Sequence, residues 1–561
     1  MKKYYIILLI LICTISASQA QLNKVWDKDF GGWNGGKGNY LITMIPVIPT
    51  ATITTGQLLA GYSNSNASLY KNSNCLGGYD YWVMQMSSFG TRLWDKTFGG
   101  INNDQLTCMV KTNDGGYLLG GSSNSNLLLP YKSQDCRGGY DYWIIKIDVN
   151  GNKLWDKTIG GSDKDILNDI VVTPTGYLLV GESSSTISFE KTSNTKGVSD
   201  YWIVKVDLNG NKIWDKTIGG SSDDIAKKCI PFSGGYLIGG SSSSPISGDK
   251  TQNTKGVQGD GLDYWVVKIT PQGTVVWDID LGGLNDDELF SVAIGKSGTD
   301  AILLGRSWSG KTGDKTQNQF SLGGVDAWVV KIAENANKSG ATKVWDKALG
   351  GDGTDMLYSI EKTVDLNFLL CGESSSITGG NGGDITYINK GGGDYWIVKI
   401  DEDGNKIWDQ GFGGLGDDCL SSIKRIPGGG GVYMLGGYST SNISGDKSQN
   451  TLAVGALDYW VINTTALSSS LIQENDNTNP TSNIKELPAK TSLNSLFTGN
   501  VSKTVTIYDI NGKKLTSKIL PAGYKYNNLT DFNIHNSGIY LIQICGLDKT
   551  DCSTHKVSIV K

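Results

Sequence analysis

Short apolar runs with partial alternation recur along this chain. In Asp141-Tyr142-Trp143-Ile144-Ile145-Lys146-Ile147 the apolar residues fall on both faces of an extended segment, as in a strand covered on both sides. Twelve residues after Trp143 comes Trp155, inside Lys153-Leu154-Trp155-Asp156-Lys157-Thr158-Ile159-Gly160-Gly161, and Asn150-Gly151 lies between them. That dipeptide accepts the positive φ of a tight turn between twisted strands, so the two runs predict a hairpin. A second hairpin precedes it, from Ile166 to Val172 and then Gly176-Tyr177-Leu178-Leu179-Val180-Gly181 in the next copy. Each unit therefore predicts four antiparallel strands.

The unit repeats seven times, because fourteen of the sixteen tryptophans occupy just two positions of it. One series is Trp82, Trp143, Trp202, Trp265, Trp328, Trp396 and Trp460; the other is Trp26, Trp94, Trp155, Trp214, Trp277, Trp345 and Trp408. A period of about sixty residues means one supersecondary unit copied around or along an axis. Four-stranded sheets repeated radially are propeller blades, with bulky side chains packed against the next sheet, so the expected class is all-β with a seven-bladed β-propeller and tryptophan docking. The array opens with a lone tryptophan strand, Lys24-Val25-Trp26, and its last unit stops after Asp458-Tyr459-Trp460-Val461. The opening strand is expected to complete the last blade, since an unpaired sheet edge is an aggregation hazard.

The doublet Gly239-Gly240 and the turn from Asp207 to Trp214 resemble the blades of kelch and quinoprotein propellers. The unit looks still more like a repeat of secreted bacterial surface proteins, over about residues 22 to 465. This resemblance implies architecture and no particular activity.

Residues 1–20 read as a secretory signal: Lys2-Lys3, an apolar run from Tyr4 to Ile15, then Ser18-Gln19-Ala20. Bulky Ile12 before Cys13 argues against a lipoprotein signal, and no later stretch approaches membrane-spanning length. The expected division is a propeller over 21–465, a polar linker over 466–486 and a compact C-terminal β-sandwich over 487–561. Val505-Thr506-Ile507-Tyr508-Asp509-Ile510-Asn511-Gly512, Ser537-Gly538-Ile539-Tyr540 and the closing Lys556 to Lys561 resemble the C-terminal sorting domain of the type IX secretion system. The resemblance implies Sec export, contact with the type IX machinery and delivery to the cell surface or beyond. Such domains carry an asparagine-proline pair directly before the first strand, whereas Asn479-Pro480 lies well upstream of Val505. Eight cysteines follow the signal. Cys545 and Cys552 flank a terminal hairpin and are candidates for a bridge; Cys75 and Cys136, at equivalent places in adjacent units, are a second candidate pair; the cysteines within strand patterns are expected to be buried thiols.

The chemistry on offer is narrow. Both histidines, His535 and His555, lie in the C-terminal domain, which removes histidine-dependent nucleophilic catalysis and histidine-ligated metals from the main body. Asp104, Asp165, Asp224, Asp287, Asp355 and Asp418 stand four residues after the closing glycine of each Gly-Gly pair; they read as turn caps or, more sharply, as an acidic rim for calcium or another hard cation. No other cofactor is expected. Departures from the repeat are the better binding candidates: Trp33 and Trp308, with Arg306, Tyr70, Tyr131 and Tyr387, all placed on the face carrying the long polar loops. A net charge of −5 with interspersed signs offers no field for nucleic acid. The expected function is a secreted or cell-surface binding or adhesion propeller for a glycan or protein. The alternative is an extracellular enzyme, a polysaccharide hydrolase or lyase using Glu182 and Glu373 or a quinone-dependent oxidoreductase.

Overall fold

The computed structural model describes residues 22–32, 38–47, 56–256, 261–320, 324–377, 383–427, 431–452 and 455–466, together with five strands between 484 and 559. The chain divides into two units, Met1–Ser469 and Ser470–Lys561.

The first unit holds seven four-stranded antiparallel sheets. In the third blade the strands are Asp165–Thr173, Gly176–Ser183, Asp200–Val206 and Lys212–Ile218, paired in that order from the axis outward. The first strands of the blades, Asn39–Val47, Asp104–Lys111, Asp165–Thr173, Asp224–Phe232, Asp287–Ile294, Asp355–Lys362 and Asp418–Arg425, adjoin one another in a closed circle. The ring is locked as the edge argument requires: Leu22–Phe30 pairs antiparallel with Asp458–Ala466 and becomes the outer strand of the seventh blade. Asp27 on that strand accepts from the Trp460 indole at 3.1 Å and from the Ser448 amide at 2.9 Å, so the closure is polar as well as apolar.

All seven third-strand tryptophans are completely buried. Each indole N–H donates to an aspartate on its own outer strand, as Trp202 does to Asp215 at 3.1 Å. The tyrosine preceding the tryptophan reaches into the next blade. The Tyr142 hydroxyl donates to the Trp202 carbonyl at 2.9 Å, with the two rings 4.9 Å apart, and Tyr459 closes the circle on the Trp82 carbonyl at 3.1 Å. This link is made at six junctions and is missing between the fifth and sixth blades, where Ala327 replaces the tyrosine. A second layer comes from the outer-strand tryptophans, five of which, Trp26, Trp94, Trp155, Trp214 and Trp345, lie under the turn glycine of the following blade. At Gly151, φ is +79° and an added Cβ would stand 2.6 Å from the Trp94 ring, so the turn requires glycine both for its backbone and for its neighbour.

Six lysines, Lys71, Lys132, Lys191, Lys250, Lys315 and Lys447, are buried one place before the loop residue whose amide binds the outer-strand aspartate. Five of them lie 4.7 to 6.0 Å from the third-strand indole, a cation–π arrangement that keeps each charge partnered in the interior. The sixth blade carries Ile385 instead.

Cys75 and Cys136 are not joined. Each is free, with its Sγ turned to carbonyl oxygens of its own blade, Ser63 and Gly78 for one and Ser123 and Gly139 for the other. Cys108, Cys229, Cys371 and Cys419 are buried thiols.

In the second unit the described strands form one five-stranded sheet, within which Cys545 stands directly opposite Cys552. The strand Ile484–Glu486 runs parallel to Cys552–Ile559, so the stretch expected to be linker already contributes to this sheet. The signal segment lies outside the described residues. Among the described residues no helix is long and apolar enough to cross a membrane.

Candidate functional site: the loop-face mouth of the axial channel

The two innermost strands of each blade pair in three tiers near the loop face. The outermost tier is an aspartate facing a serine, such as Asp165 opposite Ser183, and only the first blade differs, with Asn39. The innermost is an apolar residue facing glycine, such as Leu167 opposite Gly181. Between them lies a tier that is different in every blade: Tyr40 with Tyr62, Gln105 with Ser122, Ile166 with Glu182, Ile225 with Ser241, Glu288 with Arg306, Met356 with Glu373, and Cys419 with Tyr438.

Just below this tier the register slips by one residue in every first strand. The extra residues are Ile42, Thr107, Asn168, Lys227, Phe290, Tyr358 and Ser421, again all different in kind. A β-bulge re-aims the side chain it inserts. Here Ile42, Thr107, Asn168, Lys227 and Phe290, from five successive blades, together with Tyr62 and Gln105, line a cavity of about 290 Å³ on the axis.

The walls of the mouth are unlike. On the side of the first and seventh blades four tyrosines cluster: Tyr40 stacks on Tyr62 at 4.9 Å, and Tyr79 and Tyr438 meet them edge-on at 5.3 and 5.1 Å. Burial raises the Tyr62 hydroxyl to about 12. Across the ring the wall is charged. Lys164 pairs with Glu182 at 3.0 Å, and Arg306 pairs with Glu288 at 2.9 Å while its guanidinium lies 4.5 Å from the Trp308 ring and 5.4 Å from Phe290. Lys227 stands between these two pairs. Burial lowers its pKa, and the charges of Glu182 and Glu288 oppose that shift. In the sixth blade the Tyr358 hydroxyl donates to Glu373 at 2.7 Å, yet burial dominates and holds the Glu373 carboxyl above its ordinary range.

Of the residues expected on this face, Arg306 and Trp308 belong to the mouth. Glu182 and Glu373 sit on its variable tier in the third and sixth blades, each already held by a neighbour. Tyr70 packs edge-on against Phe30 at 5.8 Å, and Tyr387 fills the space over Gly411, so both serve packing. Tyr131 is exposed in its loop, and its carbonyl accepts from Lys153. Trp33 lies outside the described residues. The six aspartates do not form an open acidic rim. Each is fully buried and accepts from the closing glycine of its Gly-Gly pair, as Asp104 does from Gly100 at 2.7 Å, and among the described residues no three ligating side chains converge as a metal site. Lys227, Tyr62, Tyr358 and Tyr438 escaped the sequence reading, which sought outliers in loops. The signal was present as repeat columns that change in every copy. The second-to-third-strand loops also present exposed apolar tips, at Leu69, Leu129, Ile187, Ile246, Ile377 and Ile443.

Residues 479–560 match the secretion system C-terminal sorting domain family. The protein is thus a β-propeller carrying a type IX sorting domain, which directs it to the cell surface or the extracellular space. The match begins at Asn479-Pro480, ahead of the position expected for the domain start. The regulatory protein FlaEY of Caulobacter vibrioides is 24% identical over 318 residues, half of this chain but only 30% of that protein's length. Among solved structures, a mutant of the Synechocystis apocarotenoid oxygenase covers 75% of this chain and 89% of its own at 11% identity and TM-score 0.35. The phage phi92 endosialidase covers 97% and 87% at 9% identity and TM-score 0.36.

Proposed function

We propose that the propeller is an extracellular binding module whose ligand enters the axial channel from the loop face, the sorting domain serving to deliver it outside the cell. The observation that carries this reading is the contrast between tiers. The scaffold positions are repeated almost without change, while the side chains around one level of the axis differ in every blade. Packing alone gives no reason for such selective variety, because the backbone environment is the same seven times over; recognition of an asymmetric ligand does. Binding is favoured over turnover because Glu182 and Glu288 each pair with a cation, which leaves the raised Glu373 carboxyl without either of them free to complete a general acid and base pair.

The test is a glycan and cell-surface binding panel with the full chain against Tyr62→Ala and Arg306→Ala. Both substitutions are expected to weaken the strongest hit by about tenfold or more, on the scale of a lost hot spot. Binding equal to wild type in both variants refutes the axial assignment.

A further inference from the structure

The axial pocket, taken as the binding site proposed above, has a cation left over. Every other charge at the mouth is engaged: Lys164 with Glu182, Arg306 with Glu288, and Glu373 with the Tyr358 hydroxyl. Lys227 lines the cavity without a hydrogen bond or ion pair among the described residues. In the same cavity the Gln105 side chain, from the second blade, likewise has no partner among the described residues, so its amide N–H groups are free. The remaining polar side chains have donated inward. Thr107 gives its hydroxyl to the Leu167 carbonyl at 2.6 Å, and Asn168 gives its amide to the Ala226 carbonyl at 2.7 Å. The donors left uncommitted in the cavity are therefore the Lys227 ammonium and the Gln105 amide. A partly buried ammonium without a direct ion-pair or hydrogen-bond partner is costly, and a carboxylate is the group that matches an ammonium and a primary amide together.

Tyr62 and Ile42 from the first blade and Phe290 from the fifth supply apolar faces in the same cavity. Its volume of about 290 Å³ is at the small end for a ligand pocket, room for one ring rather than a chain. We infer that the pocket binds a carboxylate-bearing sugar ring, a uronic-acid-like unit, with its carboxylate on Lys227 and Gln105 and its ring against Tyr62 and Phe290. Burial lowers the Lys227 pKa, Lys164 and Arg306 act in the same direction, and Glu182 and Glu288, each held by its own partner, oppose the shift.

The experiment is calorimetric titration of the full chain at neutral pH with D-glucuronate, D-glucose and polygalacturonate. Glucuronate is expected to bind at least about tenfold more tightly than glucose, and to weaken as salt rises. Lys227→Met and Lys227→Gln should both abolish that preference, and Lys227→Arg should keep part of it; circular dichroism confirms that each variant is folded. Polygalacturonate binding with the same Lys227 dependence identifies a polymer as the source, and binding of glucuronate alone identifies a terminal or free acid. Equal affinity for glucose and glucuronate, or an unchanged preference in folded Lys227 variants, overturns the inference. If neither sugar binds while Tyr62→Ala still abolishes the panel hit, the ligand class is wrong and the axial site stands.

Discussion

Replacing Trp202 by alanine removes one indole from the seam between two sheets. That side chain is fully buried, 4.9 Å from the Tyr142 ring of the preceding blade, with Lys191 5.3 Å above it and its N–H on Asp215. Burial of ~150–250 Å² at ~25 cal/mol per Å² gives an upper bound of about 4–6 kcal/mol for the indole. Partial collapse of the cavity reduces the loss, and aromatic deletions in cores cost about 3–5 kcal/mol. The polar penalty is small, because Asp215 keeps the Thr192 amide at 3.0 Å and Lys212 at 2.8 Å. Loss of the ring beneath Lys191 adds about 0.5–2 kcal/mol, since that cation stays buried without its π face. The assay is thermal and urea unfolding of Trp202→Ala beside Trp155→Ala, whose indole is only half-buried on the outer strand. The third-strand variant is expected to lose at least twice as much stability. Equal losses, or a melting temperature unchanged by Trp202→Ala, would refute the claim that the inner indole seam holds the ring together.

Asp27→Ala strips the closing strand of its hold on the Trp460 indole and the Ser448 amide, leaving a buried donor unpaired at a cost of about 1–3 kcal/mol; increased proteolysis near the N-terminus, absent in the wild type, is the expected readout, and an unchanged digestion pattern argues against the lock. Gly151→Ala should cost more than Gly234→Ala: both glycines have positive φ, but only Gly151 has an indole within reach of a Cβ. Equal melting of the two variants would remove Trp94 from that account. Burial raises the carboxyls of Asp80, Asp326 and Asp394 to about 7, so the folded state holds protons there that the unfolded chain releases from about 3.8 upward. Their stabilisation is complete below the unfolded value and lost as pH rises through about 7. Asp27, Asp156, Asp215 and Asp346 are shifted the other way, each by a lysine hydrogen bond together with an indole and an amide that outweigh burial, and their contribution is lost as pH falls below the ordinary carboxylate range. Melting temperature should therefore peak near about pH 4 and decline toward about pH 7; a monotonic rise across that interval counts against the buried carboxyls.

The sevenfold count, the four-strand unit and the strand that closes the circle are all written in the order of residues along the chain. Each rests on local signals: Trp143 and Trp155 at a fixed spacing, Asn150-Gly151 as a turn that needs positive φ, and an opening strand and a last unit that complement each other. The address is written there too, because the strand phrases around Val505 and Ile539 lie close together in the chain. The site, by contrast, emerges only once the ring is closed. Lys227 is one of several lysines in an unremarkable stretch until the register slip at its position aims it at the axis, and the same slip in the other first strands brings residues far apart in sequence around a single cavity. The aspartate series shows the reverse case: regular spacing made those residues look like an acidic rim, and burial turned them into caps for glycine amides. Periodicity records what each blade has in common, and so it reveals the scaffold. A pocket on the axis is assembled from what the blades do not share, and only the closed ring sets those differences face to face.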